Sequence, residues 1–154
     1  MILVRHGLAR SKAKWSGVDL ERPLVAIGSQ QGSSLVKRLR HDEVAAIWSS
    51  PARRCRQTVE PLAAARGLEV HDQPLLAKDA DPRDLLRWLR RKARTSDVVC
   101  THGEVFEALL ELTRDVGLVS LPRSTQTEKG SAWRTGRCRD GVVELEYLPP
   151  RPSR

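Results

Sequence analysis

The opening stretch Ile2-Leu3-Val4-Arg5-His6-Gly7 decides the fold, because an apolar run ends there in a charged side chain, an imidazole and a glycine. Consecutive apolar residues bounded in this way predict a short buried strand over residues 1–5. Similar apolar runs at 44–48 and 97–101 predict two more strands. Each of the three strands therefore leads directly into a polar turn.

Helical patterns separate these strands. Apolar residues at a spacing near 3.6 predict a helix that starts near Pro23, and the buried stripe of that helix is predicted to be Leu24, Ile27, Leu35 and Leu39. Residues 8–22 before it are polar and basic and predict a long loop. The remaining predicted elements are a helix over 52–66 that ends at Gly67, a strand over 68–71, a helix capped by Asp81, a helix from Gly103, and strands over 131–136 and 142–147 joined by an Asp140-Gly141 turn.

Alternation of strand and helix is typical of α/β proteins with a parallel sheet. The prediction is a three-layer helix/sheet/helix fold with a largely parallel central sheet and a C-terminal antiparallel edge hairpin. A chain of 154 residues suits one domain, predicted over residues 1–148. The remaining segment, 149–154, is rich in proline and arginine and is predicted to be a disordered tail.

The amino-acid composition limits the classes of molecule that the chain is expected to bind. Lys and Arg total 27 against 19 for Asp and Glu, so the net charge of +8 fits an anion-binding enzyme or a nucleic-acid binder. Only 4% of the residues are aromatic and no RNA-binding aromatic pattern occurs, so nucleic acid is not expected. The apolar runs are too short for a membrane span, which needs about 20 residues. Three cysteines without CxxC spacing favour a reducing compartment, the cytoplasm, and no zinc site.

In a parallel α/β sheet, ligands bind in the crevice beyond the carboxyl ends of the strands. His6 and His102 follow the first strand and the strand over 97–101, and an arginine-rich turn follows the strand over 44–48. A single histidine at a strand end is more often structural than catalytic. Two of them, each followed by glycine and joined by an arginine-bearing loop, favour a functional site.

The three turns, taken in order, resemble the histidine phosphatase superfamily, which has the phosphoglycerate-mutase-like fold. The matching motifs are Arg5-His6-Gly7, Ser50-Pro51-Ala52-Arg53-Arg54-Cys55-Arg56-Gln57-Thr58 and His102-Gly103. Arg22-Pro23-Leu24, with Gly28 after it, is similar to the small SixA-type phosphohistidine phosphatases. Residues 55–63 and 129–133 resemble the phosphatase domain that is fused to a Nudix domain in some nucleotide-sanitising hydrolases, although this chain has no Nudix domain. The resemblance covers essentially the whole chain.

This resemblance implies roles for several residues. His6 is the expected nucleophile, since a neutral imidazole attacks phosphorus and forms a phosphohistidine. Arg5 and Arg54 are expected to hold the phosphoryl oxygens, and His102 to complete the pocket. The predicted substrate-binding residues are Gly7, Gly103, Lys12 and Arg22, with an ordinary solvent-exposed loop lysine as an equally good interpretation of Lys12.

The proton donor to the leaving group is the open role. Many relatives use a Glu or Asp after the second helix, and the corresponding segment here offers Asp79 and Asp81 as possible acids, with Asp84 beyond them. Asp81 has a competing interpretation as the cap of the following helix. The lack of a clear acid favours substrates with a good leaving group, such as a phosphohistidine or a phosphoanhydride.

The predicted function is metal-independent and cofactor-independent hydrolysis of a phosphoryl group through phospho-His6, with protein phosphohistidine as the first substrate. The alternatives are a phosphatase for a small phosphorylated metabolite or nucleotide and a non-catalytic phosphate-binding module. A cysteine-based phosphatase is excluded, because that mechanism uses Cys-x5-Arg and neither Cys55 nor Cys100 is followed by an arginine at that spacing.

Overall fold

In the computed structural model of the chain, residues 1–91, 93, 95–115, 119–120, 127–139 and 142–151 are described. The strands are β1 (Ile2–Arg5), β2 (Ala46–Ser49), β3 (Val70–Asp72), β4 (Asp97–Thr101), β5 (Val119–Ser120), β6 (Ala132–Arg139) and β7 (Val142–Leu148). The α-helices are α1 (Ala26–Arg38), α2 (Arg53–Arg66), α3 (Pro82–Arg91) and α4 (Gly103–Asp115). No helix in the described part of the chain is long and apolar enough to cross a membrane.

One seven-stranded sheet has the order β3-β2-β4-β1-β6-β7-β5. Strands β3, β2, β4 and β1 are parallel, and β6 and β7 continue the sheet as an antiparallel pair beside β1. This arrangement confirms the predicted α/β fold and its C-terminal hairpin. A two-residue strand, β5, pairs with β7 beyond the hairpin and was not predicted.

Helices cover both faces of the sheet. The cluster on one face joins α1 and α2 to the sheet, and its fully buried side chains include Leu35, Val59, Ile47 and Val98. The cluster on the other face joins α3 and α4 to the sheet through Leu85, Leu89, Val99 and Leu109. Side chains alternate along a strand, so Val98 and Val99 enter opposite clusters, as the predicted three-layer fold requires.

Two details of the first predicted helix are wrong. The helix begins at Ala26 instead of Pro23, because the backbone around Leu24 is extended and forms an antiparallel bridge with Ala9. Ile27 was assigned to the buried stripe, but it is 54% exposed, whereas Leu35 and Leu39 are fully buried. The predicted stripe assumes a helix that starts near Pro23, which lies before the first turn of the observed helix.

Most other element boundaries agree with the prediction to within two residues. Gly67 ends α2 in the left-handed conformation, with φ 63°, where glycine has no steric penalty. Asp140 and Gly141 lie outside the described residues, as do positions 152–154 of the predicted tail. Residues 149–151 form neither helix nor strand. The loop over 8–22 contains two short 3-10 turns, Lys12–Lys14 and Asp19–Glu21.

Candidate active site

Three neighbouring strands deliver the predicted site residues to one edge of the sheet. The order β2-β4-β1 places the segment after Ser49, the segment after Thr101 and the segment after Arg5 side by side. Backbone bonds continue the sheet for one more residue: the amide of His6 donates to Thr101 O at 3.0 Å, and the amide of Ser50 donates to Cys100 O at 2.9 Å. The sheet geometry therefore brings the three motifs together.

His6 lies in the centre of this edge and is only 6% exposed. Its Nδ1 lies 2.7 Å from the carbonyl oxygen of Gly7. A carbonyl only accepts, so Nδ1 carries the proton and the lone pair of the neutral ring is on Nε2. Burial and then the positive charges of Arg54 and Arg5 lower the pKa of His6 to about 4, against the opposing effect of the Gly7 bond. The ring is therefore neutral near pH 7 and has a free nucleophilic nitrogen.

His102 faces His6 edge-on, with ring centroids 5.3 Å apart. Its Nδ1 lies 3.3 Å from Nη2 of Arg54, and its Nε2 lies 2.9 Å from the hydroxyl of Ser50. A guanidinium only donates, so Nδ1 accepts and Nε2 donates to Ser50. Burial, His6 and Arg54 together lower the pKa of His102 to about 2, so this ring is also neutral.

Arg54 is the most buried cation of the site, with 1% of its surface exposed. Its Nη1 donates to the backbone oxygen of Asp19 at 2.7 Å, and its Nη2 donates to the Asp19 carboxylate at 3.1 Å. Arg53, its neighbour in the chain, is exposed and lines a surface pocket with Glu21 and Arg56. Only Arg54 of the two arginines points towards the histidines, because adjacent side chains on a helix diverge by about 100°.

Arg5 lies against Gly103 and Thr127. Its Nη1 donates to the backbone oxygen and the hydroxyl of Thr127. Its guanidinium lies directly over Gly103, where a Cβ atom would be 2.5 Å from Cζ of Arg5. Gly103 is therefore required for the observed position of Arg5. Among the described residues, the buried Nε atoms of Arg5 and Arg54 have no hydrogen-bond partner, so each guanidinium has one unsatisfied donor.

Gly7 allows the loop after β1 to approach α1. A Cβ atom at Gly7 would lie 2.6 Å from the backbone oxygen of Gly28, which real contacts do not permit. The amide of Gly7 donates to the hydroxyl of Thr58 at 2.9 Å, and that hydroxyl donates to the backbone oxygen of Arg54 at 2.7 Å. Thr58 thus links the backbone beside His6 to the backbone of Arg54.

Among the residues that the structure describes, two other predicted substrate-binding residues are not bonded to the histidines. Arg22 is almost fully buried and is occupied within its own loop, where it donates to the Asp19 carboxylate at 2.8 Å and to the backbone oxygen of Arg10 at 2.6 Å. Lys12 is exposed on the first 3-10 turn. In the described part of the chain, neither residue is hydrogen-bonded to either histidine.

The possible acids are also not brought to the histidines. Asp81 accepts a hydrogen bond from the amide of Arg83 at 2.8 Å and so caps α3, which supports the competing interpretation. Asp79 is exposed. Within the described ranges, neither carboxylate is bonded to His6 or His102.

Sequence analysis gave no role to Asp19, Ser50 or Lys78. Ser50 was signalled by its place in the second motif. Asp19 and Lys78 had no comparable signal, because Asp19 meets Arg54, and Lys78 meets Asp19, only through the folding of separate loops. The Nζ of Lys78 lies 3.5 Å from the Asp19 carboxylate. Among the described residues, no cluster of three or more His, Cys, Asp or Glu side chains is arranged to hold a metal ion.

Comparison with known proteins agrees with this geometry. The model of the histidine phosphatase superfamily (branch 1) matches residues 1–78, about half of the chain. An 8-oxo-(d)GTP phosphatase of Mycolicibacterium smegmatis is 32% identical over 155 residues, covering 97% of this chain and 48% of that protein. The chain thus spans about half the length of this curated relative.

Solved structures show the same fold at lower identity. The protein histidine phosphatase SixA complexed with tungstate superposes with a TM-score of 0.70 at 20% identity, covering 97% of this chain and 96% of that one. A mycobacterial glucosyl-3-phosphoglycerate phosphatase complexed with VO3 gives 0.66 at 16% identity, covering 96% of each chain. With its motifs on adjacent strand ends and the family model matched over half its length, the chain belongs to the histidine phosphatase superfamily.

Proposed function

We propose that the chain is a phosphatase that hydrolyses its substrate through a phosphohistidine on His6. The observation that carries this proposal is the state of the His6 ring, which is buried, neutral and bonded through Nδ1 to Gly7, so that Nε2 is the reactive nitrogen. Phosphoryl transfer needs positioning and charge stabilisation more than covalent assistance. Arg5 and Arg54 supply that charge, since the positive charges of both act on His6.

The reaction has two steps. In the first, Nε2 of His6 forms a bond to phosphorus while the bond from phosphorus to the leaving group breaks, and the leaving group keeps the electron pair. In the second, a water oxygen attacks phosphorus, the N–P bond breaks, and the electron pair returns to Nε2. The proton released by water goes to solvent or to the product phosphate.

The remaining groups hold this geometry in place. Arg54 is fixed by Asp19 and His102, and the Gly7 carbonyl fixes the ring of His6. The Ser50 hydroxyl accepts from Nε2 of His102, which leaves Nδ1 of His102 directed at Arg54. A side chain held through two or more contacts loses little freedom when the transition state forms, so it stabilises that state efficiently.

Two substrate classes have support. Protein phosphohistidine is favoured by the whole-chain similarity of fold to SixA. A small phosphorylated molecule or nucleotide is favoured by the relative with the higher identity, the 8-oxo-(d)GTP phosphatase. The first step is common to both classes, so the function can be tested before the substrate is known.

The test is to trap the phosphoenzyme in EDTA with an activated aryl phosphate and to measure the added mass of one phosphoryl group on intact protein. We expect one group per chain in the wild type and none in His6→Asn, with activity retained in EDTA. His71→Asn is the matched control, since His71 is exposed on β3 at the far end of the sheet order. Label that persists in His6→Asn, or activity that needs added Mg²⁺, would overturn the proposal.

A further inference from the structure

Lys78 is a cation at the mouth of the site, in the segment where an acid was expected. Its Nζ lies 3.5 Å from the Asp19 carboxylate and 3.9 Å from the Glu104 carboxylate. That same Asp19 oxygen is 3.1 Å from Nη2 of Arg54. One carboxylate therefore separates the ammonium group from the most buried arginine of the site.

The backbone that carries Lys78 is fixed to the strand ends. The amide of Gln73 donates to the backbone oxygen of Ser49 at 2.8 Å, and the hydroxyl of Thr101 donates to the backbone oxygen of Leu76 at 2.7 Å. Leu76 is fully buried. Lys78 follows two residues later, so its position relative to the histidines is set by the same strands that position them.

The positive charge of Lys78 affects the pKa values of neighbouring groups in the site. It contributes to lowering the pKa of His102, after burial, His6 and Arg54. Burial raises the pKa of Glu104, but the helix amide and Lys78 outweigh that effect and lower it below its usual value. Lys78, Arg54 and Arg22 face the two carboxylates Asp19 and Glu104, so cations outnumber anions at the mouth.

We propose that Lys78 is a specificity-determining residue that stabilises a leaving group departing as an anion, and that it thereby selects phosphoanhydrides. This inference rests on the proposed function. When Nε2 of His6 bonds to phosphorus, the bridging oxygen keeps the electrons of the breaking bond. In an anhydride that oxygen becomes part of a phosphate, which is stable as an anion and needs only a nearby positive charge.

Leaving groups of other substrates are not stabilised by a nearby positive charge in this way. An alkyl ester would leave as an alkoxide, which needs a proton. In the described part of the chain Asp79 and Asp81 are not hydrogen-bonded to the histidines. The lowered pKa values of Asp19 and Glu104 keep these two carboxylates ionised. The imidazole of a phosphohistidine leaves as a neutral ring when its other nitrogen carries a proton, so there is no negative charge for an ammonium to stabilise. Lys78 therefore favours the nucleotide-type substrate over the phosphohistidine.

Folding does not depend on this lysine. Its side chain is 32% exposed, and both of its ion pairs involve carboxylates that are themselves more exposed. Exposed ion pairs of this kind contribute little to stability. A variant at this position is therefore expected to fold, so its kinetics report on function.

The experiment compares tripolyphosphate, whose leaving group is an anion, with 1-phosphoimidazole, whose leaving group is not. Lys78→Met should lower kcat/KM for tripolyphosphate by about 30-fold or more and that for phosphoimidazole by less than threefold. Lys78→Arg should retain most of the tripolyphosphate activity. Lys37→Met, which removes an exposed lysine at the end of α1, is the control for the loss of one positive charge.

Tripolyphosphate and 1-phosphoimidazole differ in total charge as well as in leaving group. A series of aryl phosphates separates the two effects, since all members carry the same charge and differ only in the leaving phenol. Loss of Lys78 should steepen the fall of kcat/KM with increasing phenol pKa. Equal losses on all substrates, or no loss, would overturn the role of Lys78 while a trapped phospho-His6 still supports the proposed function. A wild type that forms no phospho-His6 would overturn both.

Discussion

Arg54 and Asp19 are joined twice, through the backbone oxygen of Asp19 at 2.7 Å and through its carboxylate at 3.1 Å. The carboxylate also accepts from Arg22 and pairs with Lys78. Burial alone would raise the pKa of Asp19, but the Arg22 bond and the charges of Arg54 and Lys78 hold it well below its usual value. Asp19 is therefore an anion bonded to Arg54, which is proposed to hold the substrate phosphoryl group.

Asp19→Asn should tighten the binding of inorganic phosphate. The substitution removes one negative charge, but the backbone oxygen of residue 19 and His102 still hold Arg54. Two unit charges about 4 Å apart repel each other by about 1 kcal/mol even in bulk water and by more near a protein surface, so the inhibition constant of phosphate should fall by about fivefold or more. Steady-state inhibition at constant ionic strength measures this change. Weaker phosphate inhibition in the variant would show that the carboxylate acts mainly by orienting Arg54.

Arg54→Ala and Arg53→Ala should differ sharply in turnover. Arg54 is 1% exposed and touches His102, whereas Arg53 is exposed on the outer side of the same turn. A charge-assisted hydrogen bond contributes ~1.5–3 kcal/mol and more in the transition state, so Arg54→Ala should slow turnover by ~10²-fold or more. Arg53→Ala should cost less than about tenfold. Circular dichroism serves as the folding control, and equal small losses in the two variants would favour the phosphate-binding module over the enzyme.

The sequence was sufficient to predict the sheet and the meeting of the three motifs. Buried strands such as β4 are apolar on both faces, and their carboxyl ends converge in any parallel sheet. The motif spacing also separated Arg54 from Arg53. The strand positions depend on local sequence patterns, and the convergence of the strand ends follows from the topology of any parallel sheet. Both can therefore be predicted from a single sequence.

Contacts between separate loops could not be predicted in this way. Asp19 and Lys78 are 59 positions apart, and nothing in the residues around either one indicates the other. The motif gave Arg22 a substrate role, and the structure shows its Nε bonded to Asp19 and its Nη1 to Arg10, contacts that the motif did not indicate. Side-chain pairing of this kind depends on how loops pack, and that packing leaves no periodic signal in the sequence.

The free energy of unfolding should decrease at acidic pH, because the histidines of the site are neutral in the folded protein. The pKa of His6 is lowered to about 4 in the folded chain, below the value of about 6.5 for an unfolded histidine. The unfolded chain therefore binds more protons between these values, so the contribution of His6 is complete above pH 6.5 and is lost as the pH falls towards 4. His102 acts in the same direction over a wider range.

Urea unfolding at pH 7.5, 5.5 and 4.5 measures this effect. In the wild type the free energy of unfolding should fall over that range, and His6→Asn should reduce the slope by up to ~1.4 kcal/mol per pH unit, the value for one proton. Asp19 and Glu104, whose pKa values are also lowered, lose their contributions mainly below about pH 5, and both residues are present in the wild type and in the variant, so the difference in slope between the two proteins reports His6. An unchanged slope in His6→Asn would mean that His6 titrates normally in the folded protein.

Gly103→Ala should damage activity through Arg5. The added methyl group would lie 2.5 Å from Cζ of Arg5, so the guanidinium must move away from its position beside Thr127. Alanine at the start of α4 is otherwise favourable for a helix, and the fold should be retained. A loss of about tenfold or more in kcat/KM is expected, since one phosphate contact is displaced.

A double-mutant cycle identifies the cause of that loss. If Gly103 acts only by making room for Arg5, then Gly103→Ala should add little to the effect of Arg5→Ala, and the losses in kcat/KM will be strongly non-additive. Gly136→Ala is the matched control. A Cβ atom at Gly136 would approach no atom closer than 3.3 Å, and Gly136 itself lies on β6, away from the histidines. Additive losses would instead place Gly103 in direct contact with the substrate, as the motif itself implies.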